Sequence, residues 1–442
     1  MERVRAPLRF LDRHHHWVLA SILVLALIVR LAVIVATPTY EPSYDSGDYD
    51  RHATAIAAGT GYPDSVFAAA GGPTAFRPPV YPYLLGGVYV VAGEHGILAG
   101  RVLGALFGVL VVGLLYLLAA ELLGSRAGLI AAALAAFWPP LFLLNAALVT
   151  EPLFLALVLA AVLLTLRYRK DHSLWAVAAG GACCGLAALT RSNGLLLFVA
   201  IGVGLVFFSG LRPRRGDLLA TATLAIAALL TVAPWTIRNA QTFDRFVPIT
   251  SQTGFALAGT YNSEAEDFPA YRATWILPTV TARYGPLYER RDLDEVALDQ
   301  ALLDGALAYA LDHPAYVLEA TALNTLRTFE LVPQDPASAL ANARQLGLSP
   351  RAALLERVSF YLLAALAVIG VIVMRRCPAG QAVPWFVWLV PALLVVAALP
   401  ILGSPRYRAP LYPFVVLAAT GAVVALIRRA ESSDDPRNGL PA

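Results

Sequence analysis

The stretch WVLASILVLALIVRLAVIVA, residues 17–36, decides the fold class of this protein. As a helix this run is long enough to cross the roughly 30 Å of hydrocarbon in a bilayer, and Arg30 is its one charged residue. The rest of the chain shares this character, because 58% of its 442 residues are hydrophobic, 14% are charged and the mean hydropathy is +0.65. Soluble domains carry about 25% charged residues. The sequence therefore predicts an all-α polytopic membrane protein.

Apolar windows of similar length recur along the chain, and each predicts a transmembrane helix. The ten windows are 17–36, 97–120, 127–145, 152–168, 174–190, 194–209, 217–235, 354–374, 383–402 and 409–427. The run 80–92 is shorter and contains prolines, which favours a helix that lies in the membrane interface or dips into it. A cleaved signal peptide over residues 1–36 is an alternative, but the apolar run is longer than usual and contains Arg30.

Arginines in alternate short loops indicate the orientation, since Lys and Arg are retained on the cytoplasmic side. We therefore expect both termini to be cytoplasmic, the protein to lie in the cell (cytoplasmic) membrane, and a functional site formed by its outer loops to face outward. This topology divides the chain into a cytoplasmic basic leader (1–16), a transmembrane core (17–238) that includes the first outer loop (37–96), an extracytoplasmic helical segment (239–353), C-terminal transmembrane helices (354–428) and a cytoplasmic tail (429–442). Within the extracytoplasmic segment, helices are predicted over 292–311 and 315–331, and a loop over 332–350.

Several kinds of site are excluded or unsupported by the composition. Lys170 is the only lysine, so a phosphate-binding loop with its lysine and a Schiff-base lysine site are excluded. The histidines show no metal-ligand spacing, so no metal and no cofactor are predicted. A divalent cation held by Asp45 and Asp48 stays open, and no nucleic-acid partner is expected.

Ionisable residues collect at the outward ends of the predicted spans, where such groups usually mark a functional site or one another's partners. They are Asp45, Asp48, Asp50, Arg77, Glu151, Arg191, Arg238, and Arg406 and Arg408 on either side of Tyr407. Local explanations remain for some of them. Asp45 or Ser46 could cap a helix that starts near Gly47, and an acid such as Glu151 is favourable at a helix N-terminus. Asp50 is expected to be solvated or paired with Arg51.

Carboxylates opposite arginines suit a reaction that combines a deprotonation with a phosphate group. A carboxylate can accept the proton of a hydroxyl nucleophile, and the planar fork of arginine donates paired hydrogen bonds to phosphate. Because nucleotides are not supplied outside the cytoplasmic membrane, an activated group would arrive there on a lipid.

A set of short motifs in a fixed order resembles bacterial glycosyltransferases of the GT-C class. The motifs are DSGDYDRHATAIAAGTGY (45–62), FRPPVYPYLL (76–85), TEPLFLAL (150–157), LTRSNG (189–194), PWTIRN (234–239), Asp312-His313-Pro314 and RYRAPLYP (406–413). Within that class the sequence is most similar to the superfamily of protein O-mannosyltransferases and aminoarabinose transferases, of the family 39 type. The resemblance covers residues 20–428. It implies a GT-C fold with about ten transmembrane helices, a helical first outer loop and a small helical extracytoplasmic segment.

The resemblance also implies a reaction and roles for individual residues. Family members use polyprenyl-phosphate sugars, act with inversion and place a catalytic acid in the first outer loop, which aligns with Asp45. Ser46 stands where the family commonly has glutamate, so whether Asp48 assists Asp45 or caps the helix stays open. Glu151 matches the second acidic position. The basic residues expected near the lipid phosphate of the donor are Arg77, Arg406 and Arg408 with Tyr407 between them, and less directly Arg191 and Arg238.

The sequence therefore predicts a glycosyltransferase that moves a sugar from a polyprenyl-phosphate donor in the lipid bilayer to an acceptor hydroxyl. The acceptor could belong to a protein, a glycolipid or a polysaccharide. Two alternatives remain from the residues themselves. A membrane transporter of a lipid or solute would use the charges as a permeation path, and a non-catalytic envelope scaffold would use the segment 236–353 for binding.

Overall fold

The structure is a computed structural model that describes residues 14–207, 210, 212–375 and 383–433. Most of the predicted basic leader, Cys377 and the predicted tail beyond residue 433 lie outside these ranges. Ten helices lie in the first part of the chain: α1 (His15–Ala36), α2 (Asp45–Ala57), α3 (Val80–Ala92), α4 (Gly96–Leu123), α5 (Ser125–Phe137), α6 (Pro139–Leu143), α7 (Glu151–Asp171), α8 (Leu174–Ala188), α9 (Leu195–Val206) and α10 (Arg215–Phe243). Eight follow: α11 (Thr253–Ala258), α12 (Ser263–Glu266), α13 (Glu295–Asp312), α14 (Pro314–Thr328), α15 (Pro336–Leu346), α16 (Pro350–Arg375), α17 (Trp385–Val396) and α18 (Tyr412–Ser433).

The all-α class is confirmed, and helices occupy all ten windows predicted as spans. Within the described residues, six helical stretches are long and apolar enough to cross a membrane, and the bent pair α5–α6 makes a seventh. The other three windows hold the shorter apolar helices α8, α9 and α17.

Helix α3 does not continue straight into α4. A straight helix over residues 80–123 would be about 66 Å long, more than twice the hydrocarbon thickness. Instead the chain reverses at Gly93, whose φ of 56° favours glycine, and the side chain of Leu85 packs on Gly100. A Cβ at Gly100 would lie 2.5 Å from Leu85 Cδ1, so the two helices touch at a position where a side chain has no space.

The break between α5 and α6 explains the buried Arg30. Pro140 has no N–H to donate to the carbonyl of Ala136, and the two helices bend by 58°. Arg30 Nη1 donates to that carbonyl at 3.4 Å, and its Nε donates to Asn145 Oδ1 at 2.6 Å. Arg30 therefore binds the broken helix inside the bundle and does not extend toward solvent.

Small residues bring α8 and α10 together. A Cβ at Gly181 would lie 2.4 Å from Leu224 O, and one at Gly185 would lie 2.9 Å from Ala228 O. Such close approach of two helix backbones is what small residues four positions apart allow.

Residues 244–349, the central segment, connect α10 to α16 and contain α11–α15. Their core includes Leu298, Leu302, Tyr309 and Tyr316. Helices α13 and α14 confirm the two that were predicted here. The loop predicted over 332–350 is wrong, because α15 forms within it. Asp335 caps that helix by accepting the N–H of Ser338 at 2.9 Å, Pro336 follows the cap, and Gly347 ends the helix with φ 63°.

Candidate active site

Helix α2 begins at Asp45, two residues before the position expected from the sequence. Tyr44 precedes it with φ 52° and ψ −124°, a conformation that is strained for a residue with a side chain. No side chain caps this helix, and the Ser46 hydroxyl donates instead to the carbonyl of Gln345 at 3.2 Å. Asp45 and Asp48 therefore lie in the first turn for a reason other than capping.

Arg77 binds both of these aspartates. Its Nη2 lies 2.8 Å from Asp45 Oδ1, and its Nε lies 2.7 Å from Asp48 Oδ2. Its guanidinium carbon also lies 5.1 Å from the ring centre of Tyr49, so the cation is held by charge and by an aromatic ring. Residues three apart on α2 share a face, and one arginine bridges them.

Asp50, expected to be solvated or paired with Arg51, is partly exposed and does not pair with Arg51. Arg51 Nη2 lies 2.9 Å from Asp48 Oδ1, one turn back along the helix. Asp50 points to the other side of α2, where it accepts the hydroxyl of Tyr89 at 2.5 Å.

Arg406 joins Asp45 to Glu151. Its Nη1 lies 2.7 Å from Asp45 Oδ2, its Nη2 donates to Glu151 Oε2 at 3.2 Å, and its Nε donates to the other oxygen of Glu151. Arg191 Nη1 lies 2.7 Å from Glu151 Oε1 and donates to Thr150 Oγ1 at 2.9 Å.

These contacts form one ion-pair network of alternating sign. In order it contains Arg51, Asp48, Arg77, Asp45, Arg406, Glu151 and Arg191. Its members come from the start of α2, the residues before α3, the start of α7, the residues after α8 and the turn before α18. The fold therefore gathers the ends of five helices at one side of the bundle, and three carboxylates there face four arginines.

Asp45 is the accessible carboxylate of the network. Its side chain is 35% exposed, whereas those of Arg406 and Glu151 are 7% and 3% exposed. Burial alone would raise the pKa of Asp45, but the charges of Arg77 and Arg406 outweigh it and hold that pKa well below its usual range. Burial is likewise outweighed at Asp48, whose pKa is lowered by the hydrogen bond from His52 and the charge of Arg77. Both aspartates are carboxylates at neutral pH.

Two arginines predicted for the site lie outside the network. Arg238 Nη1 donates to the carbonyl of Thr74 at 3.0 Å, and its guanidinium stacks over Trp235. Arg408 is fully buried, and its Nη2 lies 2.8 Å from Glu330 and 2.7 Å from Glu356. Tyr407 is half-buried between the two arginines of its turn, and its N–H donates to the carbonyl of Ser404.

The two glutamates that bind Arg408 were missed from the sequence. Glu330 follows the end of α14 and Glu356 lies in the second turn of α16, and neither belongs to a motif. An acid at the predicted start of a membrane helix was the one available signal, because such a residue requires a partner.

A cavity of about 130 Å³ adjoins Arg406. Apolar side chains of α6 and α15, among them Leu143 and Leu346, form part of its lining. Polar side chains, among them Glu356 and Tyr412, form another part. The cavity therefore combines apolar side chains with the carboxylates of Glu330 and Glu356 and the guanidinium groups of Arg357 and Arg406.

No group of three or more His, Cys, Asp or Glu side chains that could hold a metal ion is found in the part of the chain that the structure describes. Asp45 and Asp48 each bind a guanidinium instead.

Comparison with known proteins agrees with this architecture. Residues 76–237 match the family of dolichyl-phosphate-mannose-protein mannosyltransferases. The oligosaccharyltransferase AglB of Archaeoglobus fulgidus, solved with an inhibitory peptide and a dolichol-phosphate, is 13% identical and superposes with a TM-score of 0.56 over 97% of this chain and 52% of its own. The protein has the GT-C glycosyltransferase fold.

Other comparisons define how far this similarity extends. The Archaeoglobus fulgidus oligosaccharyltransferase tethered to an acceptor peptide is 15% identical, with a TM-score of 0.57 over 98% of this chain and 52% of its own. This chain therefore spans about half the length of these oligosaccharyltransferases. ArnT from Cupriavidus metallidurans, 16% identical, aligns over 96% of this chain and 79% of its own, but its TM-score of 0.41 is too low to bear on the fold. No curated protein sequence matches the chain significantly.

The resemblance found in the sequence motifs is thereby confirmed at the level of the fold. The matching family is one of mannosyltransferases, and the solved proteins that share this fold are oligosaccharyltransferases. The matched range includes Arg77, Glu151 and Arg191, three members of the ion-pair network.

Proposed function

We propose that this GT-C protein transfers a sugar from a polyprenyl-phosphate donor to an acceptor hydroxyl, on the outer face of the cytoplasmic membrane and with inversion at the anomeric carbon. The geometry of Asp45 supports this function most directly. It is a partly exposed carboxylate held between two guanidinium groups, and one of these, Arg406, lines a cavity with an apolar wall.

In this reaction Asp45 is the general base. An acceptor hydroxyl gives its proton to Asp45, its oxygen forms a bond to the anomeric carbon, and the bond from that carbon to the phosphate oxygen breaks. The products are a glycoside, a polyprenyl phosphate that keeps the bonding electrons, and a proton on Asp45 that passes to solvent. A single displacement of this kind inverts the configuration of the sugar.

Arg77 and Arg406 are the groups suited to the leaving phosphate. Their guanidinium groups now bind carboxylate oxygens, and phosphate oxygens take the same planar, paired hydrogen bonds. Negative charge grows on the phosphate as the bond breaks, so fixed cations there lower the barrier. Glu151 and Arg191 hold the buried side of Arg406 and orient it.

The ion pairs also give the donor a way to activate the base. A carboxylate with a strongly lowered pKa accepts a proton poorly. When a donor phosphate takes over part of the hydrogen bonding of Arg77 and Arg406, their attraction to Asp45 weakens and its pKa rises toward the ordinary value. Asp45 then becomes a competent base once the donor is bound.

Arg408 and Arg238 have supporting roles in this proposal. Arg408, bound to Glu330 and Glu356, anchors the turn that presents Arg406. Arg238 holds the backbone near Arg77 through the carbonyl of Thr74.

The test follows polyprenyl-phosphate sugars by mass spectrometry in vesicles that contain the wild-type protein or Asp45→Asn, with a panel of donors and crude envelope acceptors. We expect the wild type to consume one donor and release polyprenyl phosphate, and the variant to consume none. Asp50→Asn is the matched control, because Asp50 lies on the same helix but binds Tyr89 outside the network. Equal consumption by wild type and Asp45→Asn would exclude Asp45 as the base.

A further inference from the structure

Glu295, the first residue of α13 in the central segment, is a buried carboxylate surrounded by neutral donors. Its exposed fraction is 2%. Four groups donate to it: Ser65 Oγ at 2.6 Å, Thr74 Oγ1 at 2.6 Å, the N–H of Ala75 at 2.8 Å and Ser251 Oγ at 2.5 Å. A buried carboxylate is costly, and these donors from three separate segments stabilise it.

The donors depend on an acceptor at this position. The hydroxyl oxygen of Thr74 also accepts the N–H of Phe76 at 3.0 Å, and that of Ser65 accepts the N–H of Phe67 at 3.3 Å. Each hydroxyl oxygen can accept a backbone N–H in this way because the hydroxyl donates its own proton to Glu295. The carboxylate therefore fixes backbone on both sides of the loop that leads to Arg77.

This loop ends two residues after Ala75, at Arg77. The carbonyl of Ala75 accepts the N–H of Ser251 at 3.2 Å, and the carbonyl of Arg77 accepts the hydroxyl of Tyr62 at 3.1 Å. Pro78 and Pro79 follow and restrict the backbone beyond. With the chain held on both sides, the Arg77 guanidinium reaches Asp45 and Asp48 from one direction.

We propose that Glu295 is a positioning residue for the transferase site: it fixes residues 74–77 and so holds the Arg77 guanidinium between Asp45 and the donor phosphate. The proposal rests on the function proposed above. It makes the central segment a part of the catalytic unit, because the position of a phosphate-binding cation depends on an acid from α13. Glu295 touches neither Asp45 nor Arg77 through its own hydrogen bonds and acts through the backbone between them.

The test uses the full-length protein in vesicles with Glu295→Ala, Glu295→Gln and the control Glu319→Ala. Glu319 also lies in the central segment, where its carboxylate binds Arg272 at the surface. Hydrogen exchange measures the amides of Ala75 and Phe76, and transfer is followed with the polyprenyl-phosphate sugar that the wild type consumes. We expect faster exchange at both amides in Glu295→Ala and a kcat lower by about 10²-fold, the effect of a displacement of about 1 Å in a site.

Two further results separate positioning from a general loss of stability. Glu295→Gln keeps one carbonyl oxygen for Ala75 and Ser251, so it should retain intermediate activity even if Glu295→Ala folds poorly. The double variant Arg77→Ala/Glu295→Ala should be no slower than Arg77→Ala alone, because Glu295 acts through Arg77.

The outcomes are distinct. Unchanged kcat in both Glu295 variants, or losses that add in the double variant, would overturn the positioning role and leave the transferase function standing. Absence of transfer by the wild type with every donor would refute the proposed function, and the positioning role would fall with it. An equal loss in Glu319→Ala would show that any damage to the central segment has the same effect, and would also overturn the proposal.

Discussion

Replacing Asp45 with asparagine should strengthen the binding of polyprenyl phosphate while abolishing transfer. Asp45 contacts Arg77 at 2.8 Å and Arg406 at 2.7 Å, and in the function proposed above a phosphate competes with it for both guanidinium groups. Asparagine has nearly the same shape and can still accept a hydrogen bond, but it carries no charge. In the variant, Arg77 and Arg406 therefore keep a positive charge that Asp45 no longer balances, and the proposed general base is absent.

The magnitude follows from the geometry. Unit charges about 4 Å apart interact by about 4 kcal/mol at an effective dielectric of 20 and by about 1 kcal/mol in water. Asp45 is 35% exposed, so solvent screens its pairs and the lower part of this range applies. The hydrogen bond that asparagine can still accept reduces the gain. We expect a net gain in the binding free energy of polyprenyl phosphate of about 1.4 kcal/mol, which is tenfold in affinity.

The assay titrates polyprenyl phosphate into wild type, Asp45→Asn and Asp50→Asn in detergent and measures the dissociation constants at two salt concentrations. The gain in Asp45→Asn should be smaller at high salt, and Asp50→Asn should bind like the wild type. Unchanged or weaker binding by a folded Asp45→Asn protein would refute the idea that the carboxylate and the phosphate share these arginines.

Three further predictions concern stability, measured by thermal unfolding in detergent. Arg408→Ala should lower stability by about 3–5 kcal/mol, because Glu330 and Glu356 lose a buried partner; an unchanged midpoint would contradict this pairing. Burial raises the pKa of Asp299 to about 6, so the folded protein should lose up to about 2 kcal/mol as pH rises from 4 to 6. The unfolding midpoint of Asp299→Asn should then be higher than that of the wild type at pH 7.5 but not at pH 4. Parallel pH profiles of the two proteins would contradict this prediction. Gly181→Val should lower the free energy of unfolding by about 1–3 kcal/mol, because the new side chain forces α8 away from α10. An unchanged midpoint would contradict this prediction.

The apolar windows predicted where the helices lie, because each needs only its own residues to satisfy its backbone hydrogen bonds. The partners of the charges could not be predicted in the same way. Arg406 and Asp45 are 361 positions apart, and they meet only when the ends of α2 and α18 are packed together. The fold and most residues of the candidate site can therefore be predicted from local signals. Which of these residues pair with one another depends on tertiary packing.

Arg406 and Arg408 show why two similar residues of one motif differ. They lie in a 3-10 turn, residues 405–411, with about three residues per turn. Residues two apart in such a turn point in widely different directions. One arginine therefore reaches Asp45 and Glu151 while the other is buried against Glu330 and Glu356.

The pairing of the arginines in the ion-pair network has a consequence for selectivity. Arg77, Arg406 and Arg191 each already bind a carboxylate, so the site offers a small anion such as inorganic phosphate little net attraction at these guanidinium groups. An anion must first displace a carboxylate, and the apolar contacts of an isoprenoid tail, at about 0.8 kcal/mol per buried CH₂, can offset that displacement. The site would thus select a phosphate that carries an apolar tail. It would not bind inorganic phosphate even where that ion is abundant.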